Sequence, residues 1–325
     1  MAFPVAAAAA LGASFLLVTR LERLAGRWHL SEAILGLVVA LAADSPEISS
    51  AVTASIRGQT TIGAGVVLGS NVFNLAALLG LGAIVAGRIV LHRKVVVLEG
   101  TTALWVAGMT LIVVSTGMGA GAGLGLVLVV VVPYVIVSAV PAARLDHLGL
   151  PSRLATWLGR AVAEEEQELS PAIQAREKGS FDLSIAAASL VVVVGASAVM
   201  ERSAESLGHH LGLSNLIIGS VVLAAVTSLP NAVGAVFLAA RGRGPAVLSE
   251  AMNSNMLNVV VGLLVPALFV GLAGTSGGGL LVAAFYGGLT ALSLGLAFAG
   301  RGLSRRGGLA IVLGYLIFVT IVVAR

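Results

Sequence analysis

The chain contains no cysteine, and only 10% of its 325 residues are charged. The first absence excludes a disulfide framework and a thiolate metal site. The second, set beside 58% hydrophobic residues and a mean hydropathy of +1.04, excludes water as the main solvent. Lysine, arginine and histidine are missing from the central part of every apolar run. An intramembrane serine protease, whose nucleophile needs a basic partner, therefore finds no support, and one mid-run aspartate, Asp44, falls short of the two that an aspartyl type needs. His29, His92, His147, His209 and His210 fall in loops or at run edges, which argues against a histidine metal cluster in the membrane.

What is present is long and apolar. A helix crossing the hydrocarbon layer needs about 20 apolar residues, and such runs occur at 3–19, 31–56, 61–86, 95–115, 119–140, 183–200, 212–240, 245–272, 278–299 and 308–324. Unbroken stretches such as 127–132 and 190–194 lack the alternation of a membrane β-barrel. The expected fold is thus an all-α polytopic membrane protein of about ten transmembrane helices. The sequence pI near 10.1 is a topology signal rather than a nucleic-acid patch. Numbering the loops alternately puts 16 Lys and Arg residues on one side and only Arg57, Arg202 and Arg325 on the other. The positive-inside rule then places both termini outside and the long 141–182 connection in the cytoplasm, across what is expected to be the plasma membrane. The first run has no basic residue before it and three arginines after it, the reverse of a cleavable signal peptide, so it reads as a retained span. Within the connection, Glu164, Glu165, Glu166 and Glu168 read as a solvated helical face rather than a calcium site.

That connection separates two halves, 1–140 and 183–325, of five runs each. One ungapped offset of 184 residues maps Pro46 to Pro230, Arg57 to Arg241, Gly58 to Gly242, Ser70 to Ser254, Asn71 to Asn255 and Asn74 to Asn258. Five spans lie between equivalent points, an odd number, so the second copy enters the membrane from the opposite side. This is an inverted repeat, which puts a binding site near the midplane where the copies face each other.

Pro46 and Pro230 fall mid-span, where proline removes a helical hydrogen bond at a cost of about 3 kcal/mol, so both helices are expected to break there. Asp44 and Glu47 flank the first break. Each carboxylate costs about 2.5–3.5 kcal/mol at the bilayer centre, and with no cationic side chain at that depth a bound cation is the natural partner. Ser70 and Asn74 in the third run, and Glu250, Ser254 and Asn258 in the eighth, recur every four residues on one helical face and offer further oxygens. Glu250 is equally readable as a helix N-terminal acid. Glu99 and Glu201 lie near span ends and read as interfacial, and Gly36, Gly63, Gly65 and Gly69 as close-packing positions.

The segments SPE and GSNVFN in the first half, with TSLPN and NSNMLN in the second, resemble the alpha repeats of the calcium/cation antiporter superfamily, which includes sodium/calcium exchangers. The resemblance implies a secondary antiporter that exchanges Ca²⁺ for Na⁺ or H⁺ by alternating access, with no cofactor and no enzymatic activity. By position it puts Glu47 and Asn231 at the central carboxylate places. Ala43, Asp44, Thr227 and Ser228 take the neighbouring Thr-Ser places, and Ser70, Asn74, Ser254 and Asn258 those on the third and eighth spans. The departures are specific: Asn231 replaces an acid, Ala43 replaces a Thr, and Asp44 stands where a Ser is expected. One carboxylate has moved from the second repeat to the first, which leaves a monovalent Na⁺/H⁺ or K⁺ exchanger as the alternative and an ion channel as a more remote one.

Overall fold

The computed structural model describes residues 2–27, 37, 40–140, 151–169, 182–272 and 277–325. Twelve helices and one two-stranded ribbon are named here: α1 (Ala2–Arg27), α2 (Ser45–Ile56), α3 (Thr60–Ala86), β1 (Arg88–Val90), α4 (Arg93–Thr116), α5 (Ala120–Ala139), α6 (Ser152–Leu169), α7 (Asp182–His210), α8 (Asn215–Thr227), α9 (Leu229–Ala240), α10 (Gly244–Val270), α11 (Gly277–Gly300), β2 (Gly302–Ser304) and α12 (Arg305–Val323). Among the described residues eight helices are long and apolar enough to span a membrane, and the bent pair α8–α9 makes a ninth. Helix α2 is the second part of the expected 31–56 span, most of whose first part lies outside the described residues, as does Gly36.

The breaks fall at the prolines. Residues 40–43 are helical, Asp44 turns, and α2 restarts with Pro46 in its first turn. In the second copy α8 stops at Thr227, and α9 resumes with Pro230 in its first turn after a 47° bend. The Ala42 carbonyl, four residues before Pro46, accepts hydrogen bonds from Ser45 Oγ at 2.6 Å and Ser14 Oγ of α1 at 3.2 Å. The group freed by the missing N–H is satisfied inside the protein, as the hydrocarbon interior requires.

Helices α3 and α10 form the centre. Each carries a π-helical stretch at the end of its asparagine motif, Leu75–Leu81 following Asn74 in α3 and Asn258–Leu264 starting on the last asparagine in α10. Close approach is allowed by small residues. A Cβ on Gly65 would lie 3.2 Å from Gly219 Cα, one on Gly69 2.5 Å from Ser220 Cα, and one on Gly63 2.7 Å from the Ala51 carbonyl. These glycines are what bring α3 against α8 and α2, as expected where helices associate through close packing.

The pair α1 and α7 pack along one another and flank α2. Their partners sort by side of the membrane. Arg20 reaches Asp182 at 3.0 Å at one end, while Arg57 reaches Glu201 at 2.7 Å and Glu205 at 3.0 Å at the other. The antiparallel β1–β2 ribbon pairs Ile89 with Leu303, so the 88–90 and 302–304 loops share one face. Helix α6 lies within the 141–182 connection and is docked rather than free. Its Ala155, Leu158 and Ala161 are buried, with Leu158 packed against Leu98, Val137 and Val140. The side chains of Glu164, Glu165, Glu166 and Glu168 lie outside the described residues.

Candidate cation site

At the two breaks the copies meet. Asp44, Glu47, Ser70, Asn74, Thr227, Ser228 and Asn258 are fully buried, and Asn231 and Ser254 are 1% exposed. The Asn231 carboxamide from the second break donates to Asp44 Oδ1 at 2.7 Å, Glu47 Oε1 at 3.3 Å and Ser254 Oγ at 3.3 Å. Ser254 also donates to Asp44, and Asn258 donates to Glu47 Oε2. Asn74 Nδ2 reaches Ser254 Oγ at 3.3 Å. Ser70 and Ser228 lie against the Glu47 carboxyl, Ser228 without a hydrogen bond. The Thr227 hydroxyl turns back onto the Leu223 carbonyl at 2.9 Å, so this side chain borders the cluster while engaged with its own helix.

Nine of the ten residues singled out in the sequence thus converge. The tenth, Glu250, stands beside the cluster. It is partly buried on α10, within electrostatic reach of Asp44, with Oε1 facing Gly234 of α9 and Oε2 unpartnered. Its position in the first repeat belongs to Val66, so this acid has no symmetric counterpart.

The electrostatics of the pocket are one-sided. Two carboxylates sit side by side in a dry interior, and the ion pairs among the described residues engage other acids, Asp182, Glu201 and Glu205. Several buried oxygens make no hydrogen bond: Asp44 Oδ2, Asn74 Oδ1, Asn231 Oδ1, Asn258 Oδ1 and Ser228 Oγ. An orphaned buried acceptor costs about 1–3 kcal/mol, and five on the residues of one site are the donor set of a hard cation: carboxylate, amide and hydroxyl oxygen. Among the described residues no group of three or more His, Cys, Asp or Glu side chains is placed to hold a metal ion together. A divalent ion placed here would meet two carboxylates and a set of neutral oxygens.

Two residues missed as functional in the sequence hold this arrangement together. Asn71 Nδ2 donates to the Asn255 carbonyl at 3.1 Å, and Asn255 Nδ2 returns a bond to the Asn71 carbonyl at 3.2 Å. Their side-chain oxygens accept from Asn258 and Asn74, each at 3.2 Å. This reciprocal clamp orients both outer carboxamides so that their free oxygens point elsewhere. The signal was available, because Asn71 and Asn255 obey the repeat offset and adjoin Ser70 and Ser254. Glu99 and Glu201, placed near span ends by the sequence, are 1% and 0% exposed and so enclosed by protein. Glu99 accepts a hydrogen bond from Ser249 and Glu201 one from Arg57, partners that hydropathy alone does not reveal.

Comparison with known proteins agrees with this architecture. Over 102 residues, 31% of the chain, it is 31% identical to sodium/potassium/calcium exchanger 1 of Mus musculus, a stretch that is only 9% of that relative's length. Over 236 residues it is 25% identical to the inner membrane protein YrbG of Escherichia coli, covering 72% of this chain and 69% of the relative. Among solved structures, the sodium-calcium exchanger NCX_Mj superposes with a TM-score of 0.62 at 21% identity, covering 98% of this chain and 96% of the other. The H⁺/Ca²⁺ exchanger CAX gives 0.73 at 12% identity, covering 99% and 85%. These likenesses establish the shared helical fold. The family model for the sodium/calcium exchanger protein matches residues 1–140 and 181–324, nearly the whole membrane body, and the chain belongs to that family.

Proposed function

We propose that this protein is a secondary active antiporter that exchanges Ca²⁺ for Na⁺ or H⁺ at the site between the two breaks. The observation that carries the reading is the set of five unpartnered oxygens around Asp44 and Glu47, buried with no cationic side chain among the described residues to compensate them. Family membership supports it, as does the two-fold arrangement, which gives alternating access a pair of equivalent half-sites to open in turn. In this reading Asp44 and Glu47 neutralise the ion, and Ser70, Asn74, Thr227, Ser228, Asn231, Ser254 and Asn258 complete and border its shell. Glu250 is the charge next outside it. Residues 1–140 and 183–325 are the two repeats. The face bearing α6 and the β1–β2 ribbon is the cytoplasmic one, with both termini outside.

A second reading, monovalent cation exchange against H⁺, is favoured by one feature: Asn231 stands where a second-repeat acid is expected. Proteoliposomes loaded with Na⁺ and diluted into Na⁺-free buffer containing ⁴⁵Ca²⁺ decide between them, with a matched set carrying a proton gradient. Gradient-driven calcium uptake that collapses at least 100-fold in Glu47→Gln is expected, since the loss of one of two carboxylates leaves a divalent ion half neutralised at about 3 kcal/mol or more. Unchanged uptake in that variant refutes the site. Absence of calcium flux under both gradients, with intact Na⁺/H⁺ exchange, establishes the monovalent reading instead.

A further inference from the structure

Away from the cation cluster, a groove of about 370 Å³ opens where α6 lies over the start of α4. It is lined by Lys94 of α4 and by Ser152, Arg153, Thr156, Trp157 and Arg160 of α6. Positions 153, 156, 157 and 160 follow the i, i+3, i+4, i+7 spacing of one helical face, while the adjoining face carries the buried Ala155, Leu158 and Ala161. The helix is thereby anchored to the protein body with its basic face turned to the groove. Among the described residues no acidic side chain lines it, and Arg153 and Arg160 make no ion pair.

The charge order of α6 adds a second observation. Its basic residues lie in the N-terminal part and its acids, Glu164 to Glu168, in the C-terminal part. That order opposes the helix dipole, which favours acids first and bases last. An anion held between Arg153, Arg160 and Lys94 relieves the conflict.

We propose that this groove binds the phosphate of an anionic lipid headgroup. Two guanidinium forks and an ammonium are suited to phosphate oxygens, and the Ser152 hydroxyl adds a neutral donor, that of Thr156 being engaged with the Ser152 carbonyl at 2.8 Å. The place selects a lipid over a soluble phosphate. Lys94 is the second residue of a membrane span, so the groove lies at headgroup depth. Trp157 lines it as an interfacial aromatic, and Leu154 on the same helix is 44% exposed beside it. The site is independent of which cation the protein carries.

The test is native mass spectrometry of the full chain, titrated with phosphatidylglycerol or with phosphatidylcholine, alongside Arg153→Gln/Arg160→Gln. A control, Arg243→Gln/Arg306→Gln, removes the same charge from the same face. The wild type is expected to retain one phosphatidylglycerol in preference to phosphatidylcholine. The groove variant should bind it about 10- to 30-fold more weakly, the control within about twofold of wild type. Arg153→Lys/Arg160→Lys should recover most of the preference. No preference in the wild type, or an equal loss in the control, overturns the proposal. A further arm adds inorganic phosphate in the millimolar range: if it displaces phosphatidylglycerol from the wild type and binds alone as tightly, the assignment to a lipid is overturned.

Discussion

The two breaks share a backbone and differ in charge. Asp44 and Ser228, 184 residues apart, turn with φ −77, ψ −4 and φ −84, ψ −1. The half-helices that follow both run to an arginine cap and a left-handed glycine, Gly58 at φ 80 and Gly242 at φ 76. Yet the first break presents Asp44 and Glu47, and the second presents Ser228 and Asn231. Proline and glycine fix the chain path, while the chemistry at the break changes without moving it. Both carboxylates come from one copy and the carboxamide that bridges them from the other, so the site stays whole although its charge is no longer shared.

That separation can be broken most sharply by moving the charge back. Asp44→Ser alone should reduce cation flux at least 100-fold, by the same loss of neutralisation as Glu47→Gln. Asp44→Ser combined with Asn231→Glu restores one carboxylate per copy and should recover flux to within about tenfold of the native protein. Uptake assays in proteoliposomes compare the three. A double variant as inactive as the single one shows that the position of the charge matters as well as its number.

The outer faces of α3 and α10 differ in a second way. Gly65 and Gly69 let α3 press against α8, whereas their counterparts Ser249 and Asn253 hydrogen-bond outward to Glu99 and Tyr134, the latter at 3.1 Å. Gly69→Ala drives a Cβ into the Ser220 backbone, which cannot yield as a side-chain tip does. Overpacking of this kind costs about 2–3 kcal/mol. A fall of several degrees in the thermal midpoint in detergent is expected, against a change of about one degree for Gly108→Ala, where a Cβ meets open space. Equal shifts would remove the close approach as the reason for glycine.

The sequence made the fold legible because its signals are local and repeated. Apolar runs of spanning length, two mid-span prolines and one constant offset are enough to place the breaks opposite each other. The buried polar cluster was legible for the same reason, since the nine residues that converge there follow these motifs. What escaped were the contacts whose partners are distant in sequence and differ between the copies. Glu99 and Glu201 look interfacial by position, because no periodicity announces Ser249 or Arg57 as partners. Helix α6 was legible only as a solvated helical face at its acidic end, and its docking through Ala155, Leu158 and Ala161 was not, since the neighbours of that face are spans rather than solvent. Asn71 and Asn255 were visible as a repeat pair, but a carboxamide that clamps and one that ligates look alike until their bonds are seen.

The clamp gives a smaller test of symmetry. Asn71→Leu and Asn255→Leu each remove one arm of the reciprocal pair and leave a buried carbonyl unpaired, at about 1–2 kcal/mol. Because each arm also orients an outer carboxamide, both should raise the half-saturating cation concentration roughly tenfold. The thermal loss should be similar in the two, since the bonds are equivalent at 3.1 and 3.2 Å. Kinetics of uptake against cation concentration check this. A loss of stability with unchanged half-saturation would make the pair structural only.

The smallest effect is expected where the copies use one cap arginine in two ways. Arg57 ends α2 and reaches across to α7, where it meets the fully buried Glu201 at 2.7 Å and Glu205 at 3.0 Å. Arg241, its counterpart, instead stacks over Phe237 at 3.9 Å on its own helix. Truncating Arg57 therefore strands a buried carboxylate, while truncating Arg241 forfeits one cation–π contact. Arg57 is 34% exposed, so water repays part of the loss. Arg57→Gln should cost about 1–2 kcal/mol and Arg241→Gln about 0.5 kcal/mol. Arg57→Gln/Glu201→Gln should be more stable than Arg57→Gln alone, because the stranded charge is gone. If thermal midpoints show the two single variants alike and no recovery in the double one, Glu201 is not held in the interior by Arg57.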